Sequence, residues 1–108
     1  MVDFEPTRGA EANKRRPAII VSNDAANSAA ARLGRGVLTV VPVTSNVKRV
    51  YPFQVLLPSG TGGLPHDSKA QAEQVRSVDA ERVGALLGKL PAQLMASLED
   101  ALRLHMVL

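Results

Sequence analysis

Three side-chain types at two places in this 108-residue chain could bind an anion such as a phosphate: a guanidinium at Arg16, and hydroxyls at Thr44 and Ser45. Arg16 closes the run Lys14-Arg15-Arg16 and stands directly before Pro17 and the apolar stretch Ala18-Ile19-Ile20-Val21. Proline fixes its own φ and steers the preceding residue into extended backbone, so Arg16 is expected at the mouth of a strand. A guanidinium held there is suited to an anion. Thr44 and Ser45 follow Pro42-Val43 at the end of the most apolar stretch, where successive hydroxyls can donate to phosphate oxygens and cap the loop that follows. Taken singly, Thr44 and Ser45 read as a turn cap and Arg16 as a surface ion-pair partner. Glu11, five residues before Arg16, completes the group as a carboxylate able to orient the guanidinium.

Other chemistries find little material. The chain has no cysteine, so thiolate zinc sites and disulfides are excluded, and its two histidines, His66 and His105, fall in a loop and on a helix stripe. Neither a metal nor another cofactor is expected. Gly60-Thr61-Gly62-Gly63 lacks the lysine and helix start of a phosphate loop and reads as a flexible turn. The absence of cysteine, of a signal peptide and of a long apolar run leads to the expectation of a cytoplasmic protein with no membrane segment.

The net charge of +3 is unevenly spread: residues 1–54 hold eight Lys or Arg against four Asp or Glu, and residues 55–108 hold five against six. Arg8, Lys14, Arg15, Arg16, Lys48 and Arg49 make a basic face in the first half, which suits a nucleic-acid partner. With one Tyr and two Phe, base stacking would fall to Phe4 and Tyr51, and Phe53 is expected in the core.

The length fits a single domain over residues 1–108. Strand signatures cover Pro17–Ser22, Gly36–Val43 and Tyr51–Leu57, each rich in Val, Ile or Leu and bounded by turn residues. Between the first two, the alanine-rich 24–35 segment reads as a loop with a helical turn, and 59–65 as a loop, lid or connector. Ala70–Val78 alternates and is expected to be one strand, polar on both faces, followed by a helical turn at Asp79–Arg82 and an apolar strand over Val83–Leu90. From Pro91 onward, Leu94, Leu98, Ala101, Leu102 and His105 form a stripe at three- and four-residue spacing, which predicts a helix packed on the sheet, with a structural role for His105. Short strands closed by one helix favour a strongly bent sheet or small barrel.

The strings GAEANKRRPAIIVSND, GVLTVVPVTSN, YPFQVLL and AQAEQVRSV, in this order and spacing, resemble the MazF/PemK toxins of bacterial toxin–antitoxin pairs, from about residue 3 to the last helix. The resemblance implies a mainly β fold with a C-terminal helix, an SH3-like small barrel that works as a homodimer. It implies a metal-independent endoribonuclease that cuts single-stranded RNA at short preferred sequences. Its protein partner would be an antitoxin whose disordered C-terminal segment lies across the RNA groove.

By motif position, Arg16 and Thr44 resemble the family's catalytic arginine and threonine, with Glu11 and Ser45 in support. Arg8, Lys14, Arg15, Asn46, Lys48, Arg49 and Gln74 would contact RNA, Gln74 at the groove or the dimer contact. Cleavage would proceed by attack of the RNA's own 2′-hydroxyl, leaving a 2′,3′-cyclic phosphate and a 5′-hydroxyl. Arginine is effectively always protonated, which suits Arg16 to transition-state stabilisation or to protonating the leaving oxygen and not to proton abstraction, with Thr44 positioning the phosphate. The general base stays open, Glu11 being one candidate. Relatives begin with a full strand of the form GDVWLVDL, whereas Met1-Val2-Asp3-Phe4 retains only its end, so a shortened first strand is expected, unless the true start lies upstream. The alternatives are a gyrase-binding toxin of the same fold, which would use the C-terminal helix surface, and a barrel that binds RNA or protein without cutting.

Overall fold

The computed structural model describes residues 1–4, 15–23, 27, 32–33 and 36–108. Seven strands and one long helix organise them. β1 (Val2–Asp3) pairs antiparallel with β2 (Arg15–Arg16), Val2 facing Arg16 and Asp3 facing Arg15. β3 (Ala18–Ile20), β4 (Val37–Thr44), β5 (Gln54–Leu57), β6 (Ser68–Gln71) and β7 (Arg76–Asp79) form a five-stranded antiparallel sheet in the order β3-β4-β6-β5, with β7 also on β4. α1 (Ala92–Met106) lies on this sheet. Among the described residues the strand path does not close on itself, and no helix is long and apolar enough to cross a membrane.

β4 is the spine. Val40–Pro42 of its eight residues pair with β3 along one edge, while the other edge is shared by β7 over Val37–Val40 and by β6 over Val43–Thr44. The sheet therefore bends at the middle of β4. The corner explains why Ala70–Val78 is two strands and not the single one expected from its alternation. Carrying the Val43–Ala70 register back along β4 would set Val40 against Glu73, yet Val40 pairs with Arg76, three residues further on. A 3-10 turn over Ala72–Gln74 accommodates the difference, burying Ala72 completely and closing through the Val75 N–H on the Ala72 carbonyl.

Two further expectations give way to local chemistry. Tyr51–Phe53 is a turn, not strand: the Gln54 N–H donates to the Tyr51 carbonyl at 2.9 Å, and the Tyr51 N–H to Gln54 Oε1 at 3.1 Å. Pro52 between them has no N–H for a ladder. Val83–Leu90 forms no strand beyond an isolated bridge between Val83 and Val2. Beside that bridge the Gly84 N–H donates to the Met1 carbonyl at 2.8 Å and the Met1 ammonium to the Ala85 carbonyl at 3.0 Å, and the rest runs on as a strap with Leu86 85% exposed. The turn at Ala80–Arg82 and the helix from Ala92 appear where the sequence places them, and Asn27, Arg32 and Leu33, within the 24–35 segment, are helical.

The main core joins Val41, Val43, Val55, Leu57, Leu64 and Ala70 of the sheet layer to Leu98 and Ala101 of α1, flanked by Leu94 and Leu102. A second cluster, Val2, Val40 and Val78, receives Phe4, which is thereby committed to packing, with Arg76 over its ring at 5.3 Å. Phe53 belongs to neither cluster. It is half-buried, stacks on Tyr51 at 5.4 Å and meets the exposed His105 at 6.3 Å, so the core role expected for it is not observed.

Candidate active-site cleft

β2 and β4 bring the two sequence motifs together. The carbonyl of Pro17 accepts the N–H of Val43 at 3.0 Å, and Ala18 faces Pro42. Continuing that register sets Arg16 opposite Thr44. Residues directly opposite in an antiparallel pair project to the same face, so sequence positions 28 apart converge on one patch. Arg15, Arg16, Thr44 and Ser45 all line an open cleft of about 340 Å³, together with Leu64, Pro65 and His66 from the loop before β6 and Ser68 at its start.

Thr44 is half-buried, and its Oγ1 accepts the N–H of Asn46 at 3.2 Å. A hydroxyl has two acceptor lone pairs and one proton, so this contact leaves the proton to donate into the cleft. Asn46 continues the turn, its Oδ1 accepting the Lys48 N–H at 3.3 Å. The side chain is thus engaged in the loop, and Asn46 does not line the cleft. Arg15, Arg16 and Ser45 are exposed, and among the described residues no carboxylate pairs with either arginine. Both guanidiniums are available to an anion. Arg15 also acts at a distance: burial first, and then its charge, hold the Met1 ammonium below its ordinary value.

A second cationic group lies on the other side of Thr44. Lys69 faces Thr44 across the β4–β6 ladder, is 8% exposed, and donates from Nζ to the Arg49 carbonyl at 2.6 Å. Arg49 donates to Tyr51 Oη at 3.2 Å and lies over the Tyr51 ring at 5.7 Å, with Lys69 Nζ 6.0 Å from the same ring. Tyr51 is 42% exposed, and its stack on Phe53 leaves an aromatic platform beside the two cations. Lys48 is exposed on the adjoining loop. Gln74 ends the 3-10 turn, not a strand, and lies away from the cleft lining. Arg8, Glu11 and Lys14 lie outside the described residues. Among the described residues no cluster of His, Asp and Glu has the makings of a metal site.

Sequence reasoning did not single out His66, Ser68 or Lys69. Ser68 and Lys69 belong to an inconspicuous stretch whose place follows only from the β4–β6 register. For His66 a signal was present: a titratable side chain in a loop framed by Gly63, Pro65 and Asp67, where exposed chemistry concentrates.

Comparisons with known proteins establish the family. The family model described as "PemK-like, MazF-like toxin of type II toxin-antitoxin system" matches residues 1–106. A Mycobacterium tuberculosis protein named Endoribonuclease MazF9 is 59% identical over 105 residues, spanning 97% of this chain and 89% of that protein. The crystal structure of MazF from Deinococcus radiodurans superposes with a TM-score of 0.75 at 31% identity, covering 99% of this chain and 90% of that one. A MazE–MazF structure from the same organism gives 0.69 at 31% identity over 86% of this chain and 82% of its counterpart. On a family match over nearly its whole length and a relative this similar, the chain belongs to the PemK-like, MazF-like toxins of type II toxin–antitoxin systems.

Proposed function

We propose that this chain is an endoribonuclease toxin that cuts single-stranded RNA at short preferred sequences, without a metal ion, by attack of the 2′-hydroxyl on the adjacent phosphorus. The observation that carries this reading is that Arg16 and Thr44 line one open cleft. As the new P–O bond forms, charge accumulates on the non-bridging oxygens. Arg16 meets it with a planar fork of donors, and Thr44 and Ser45 donate hydroxyl protons that orient the phosphate. Lys69 adds positive charge across the ladder, while Arg15, Lys48 and Arg49 bind the RNA backbone and Tyr51 offers a face for a base. Arg8, Lys14, Asn46 and Gln74 complete the proposed RNA contacts, and Glu11 is kept as support for Arg16. That the M. tuberculosis relative is named an endoribonuclease favours cutting over gyrase binding or binding alone.

The working unit in this proposal is a homodimer of single-domain, SH3-like barrels in the cytoplasm. Leu86, 85% exposed, and Leu87, 43% exposed, on the strap support association through an apolar surface. The cognate antitoxin would neutralise the toxin by laying a disordered C-terminal segment over the RNA groove, a surface whose cations and aromatic platform suit an acidic peptide with apolar anchors.

The test is incubation of purified protein with single-stranded RNA in EDTA, comparing wild type with Arg16→Ala and Thr44→Ala. Wild type is expected to cut, and each variant to lose about 10²–10³-fold in rate, as when a preorganised donor to a developing oxyanion is removed. Intact RNA with wild type, or equal cutting by both variants, would refute the reading.

A further inference from the structure

The cleft holds donors for the developing charge, yet the 2′-hydroxyl must also surrender a proton, and neither an arginine nor a neutral hydroxyl takes one near neutral pH. Among the described residues lining the cleft, one carries a side chain that does: His66. We infer that His66 is the general base of this site. The inference rests on the RNA-cleaving reading above.

The loop carrying His66 is anchored on both sides. Leu64 is 7% exposed, its N–H donates to the Thr61 carbonyl at 2.9 Å and its carbonyl accepts the Gly60 N–H at 2.7 Å. Pro65 restricts the next step of the chain. On the far side, Ser68, 4% exposed, donates from Oγ to the His66 carbonyl at 2.9 Å, and Asp67 Oδ1 accepts the Ser59 N–H at 2.8 Å. His66 itself stays exposed between these fixed points, on the wall of the cleft that also holds Arg16 and Thr44. A backbone tethered this way holds a proton acceptor in place without burying it.

Among the described residues, the charged groups around it are Arg15 and Arg16 from β2 and Asp67 on its own loop, with Thr44, Ser45 and Ser68 as neutral hydroxyls. Lys69, the next cation along β6, is turned to the Arg49 carbonyl. The step balances as follows. An imidazole nitrogen takes the proton from O2′ while the O2′–P bond forms and the P–O5′ bond breaks. The departing O5′ takes a proton from water, and the imidazolium returns its own to solvent. One strand end becomes a 2′,3′-cyclic phosphate, the other a 5′-hydroxyl.

The experiment uses single-turnover cleavage of a randomised single-stranded RNA library in EDTA from pH 5 to 9, with wild type, His66→Ala, His66→Gln and Glu11→Gln. Wild type is expected to lose rate on the acid side, as imidazole gains a proton and ceases to be a base. Both His66 variants should be slower by about 10²–10⁴-fold, the usual worth of a positioned general base, with RNA affinity and thermal stability kept. The acid limb should vanish in the two variants, and added imidazole should restore part of the His66→Ala rate but none of the His66→Gln rate, where the side chain fills the space. His66 variants that cut as fast as wild type, that keep the acid limb, or that pass that limb's loss to Glu11→Gln would overturn the assignment. A wild-type protein that leaves RNA intact would instead bring down the RNA-cleaving reading on which it rests.

Discussion

Thr44 spends one lone pair on the Asn46 N–H and retains its hydroxyl proton, so the same oxygen shapes the loop and faces the cleft. These two roles separate on substitution. Thr44→Ser should retain both, whereas Thr44→Val keeps the shape and loses the proton and the acceptor. Because the Asn46 N–H is exposed, water replaces the lost partner, and Thr44→Val should cost at most about 1 kcal/mol of stability while cleavage falls about 10²-fold. Thermal melts beside single-turnover rates would check this, and a rate loss matched by wholesale unfolding would contradict it. Arg16→Lys is likewise expected to rescue little of the Arg16→Ala loss, since an ammonium keeps the charge but not the planar fork that grips two phosphate oxygens.

At the scale of elements, the cleft depends on how β2, β4 and the loop before β6 are held. Gly63 has φ +80°, and a Cβ there would come within 2.4 Å of the Leu87 carbonyl oxygen, so the strap and the loop are fitted backbone to backbone. Gly63→Ala should destabilise by about 1–3 kcal/mol, read as a lower urea midpoint, and an unchanged midpoint would show that the fit is not needed. Leu98, fully buried where α1 meets the sheet, should cost about 2–5 kcal/mol on truncation to Ala. Much of this level was legible in the chain. Pro17 announced the strand position of Arg16, and the Leu94–Leu98–Ala101 stripe announced α1, because each rests on local sterics or helical period. What was not legible depends on partners distant in sequence. The break at Ala72–Gln74 follows from β4 receiving β6 and β7 at different registers, and the strap at Val83–Leu90 forms only the Val83–Val2 bridge because β1 offers it an edge of two residues. His66 joins Arg16 only through loop anchoring that no short window reveals.

For the molecule as a whole, membership of the MazF/PemK toxins accounts for a cationic surface gathered in the first half of the sequence, where it would face a polyanion. Binding to single-stranded RNA should then weaken steeply with salt, by about 0.7 in log–log slope for each phosphate contact. Arg15→Ala and Arg49→Ala should each flatten that slope by one such increment, across sequences alike; an unchanged slope would remove these residues from the RNA path. Sedimentation at micromolar concentration should give a dimer, and a strict monomer would contradict a groove shared by two subunits. The most direct measurement is the mass of the RNA ends produced by wild type in EDTA. A 2′,3′-cyclic phosphate paired with a 5′-hydroxyl is the expected result, since Arg16 and Thr44 would then be stabilising attack by the RNA's own 2′-hydroxyl. A 3′-hydroxyl paired with a 5′-phosphate would mean that water attacks from outside, and would contradict the account.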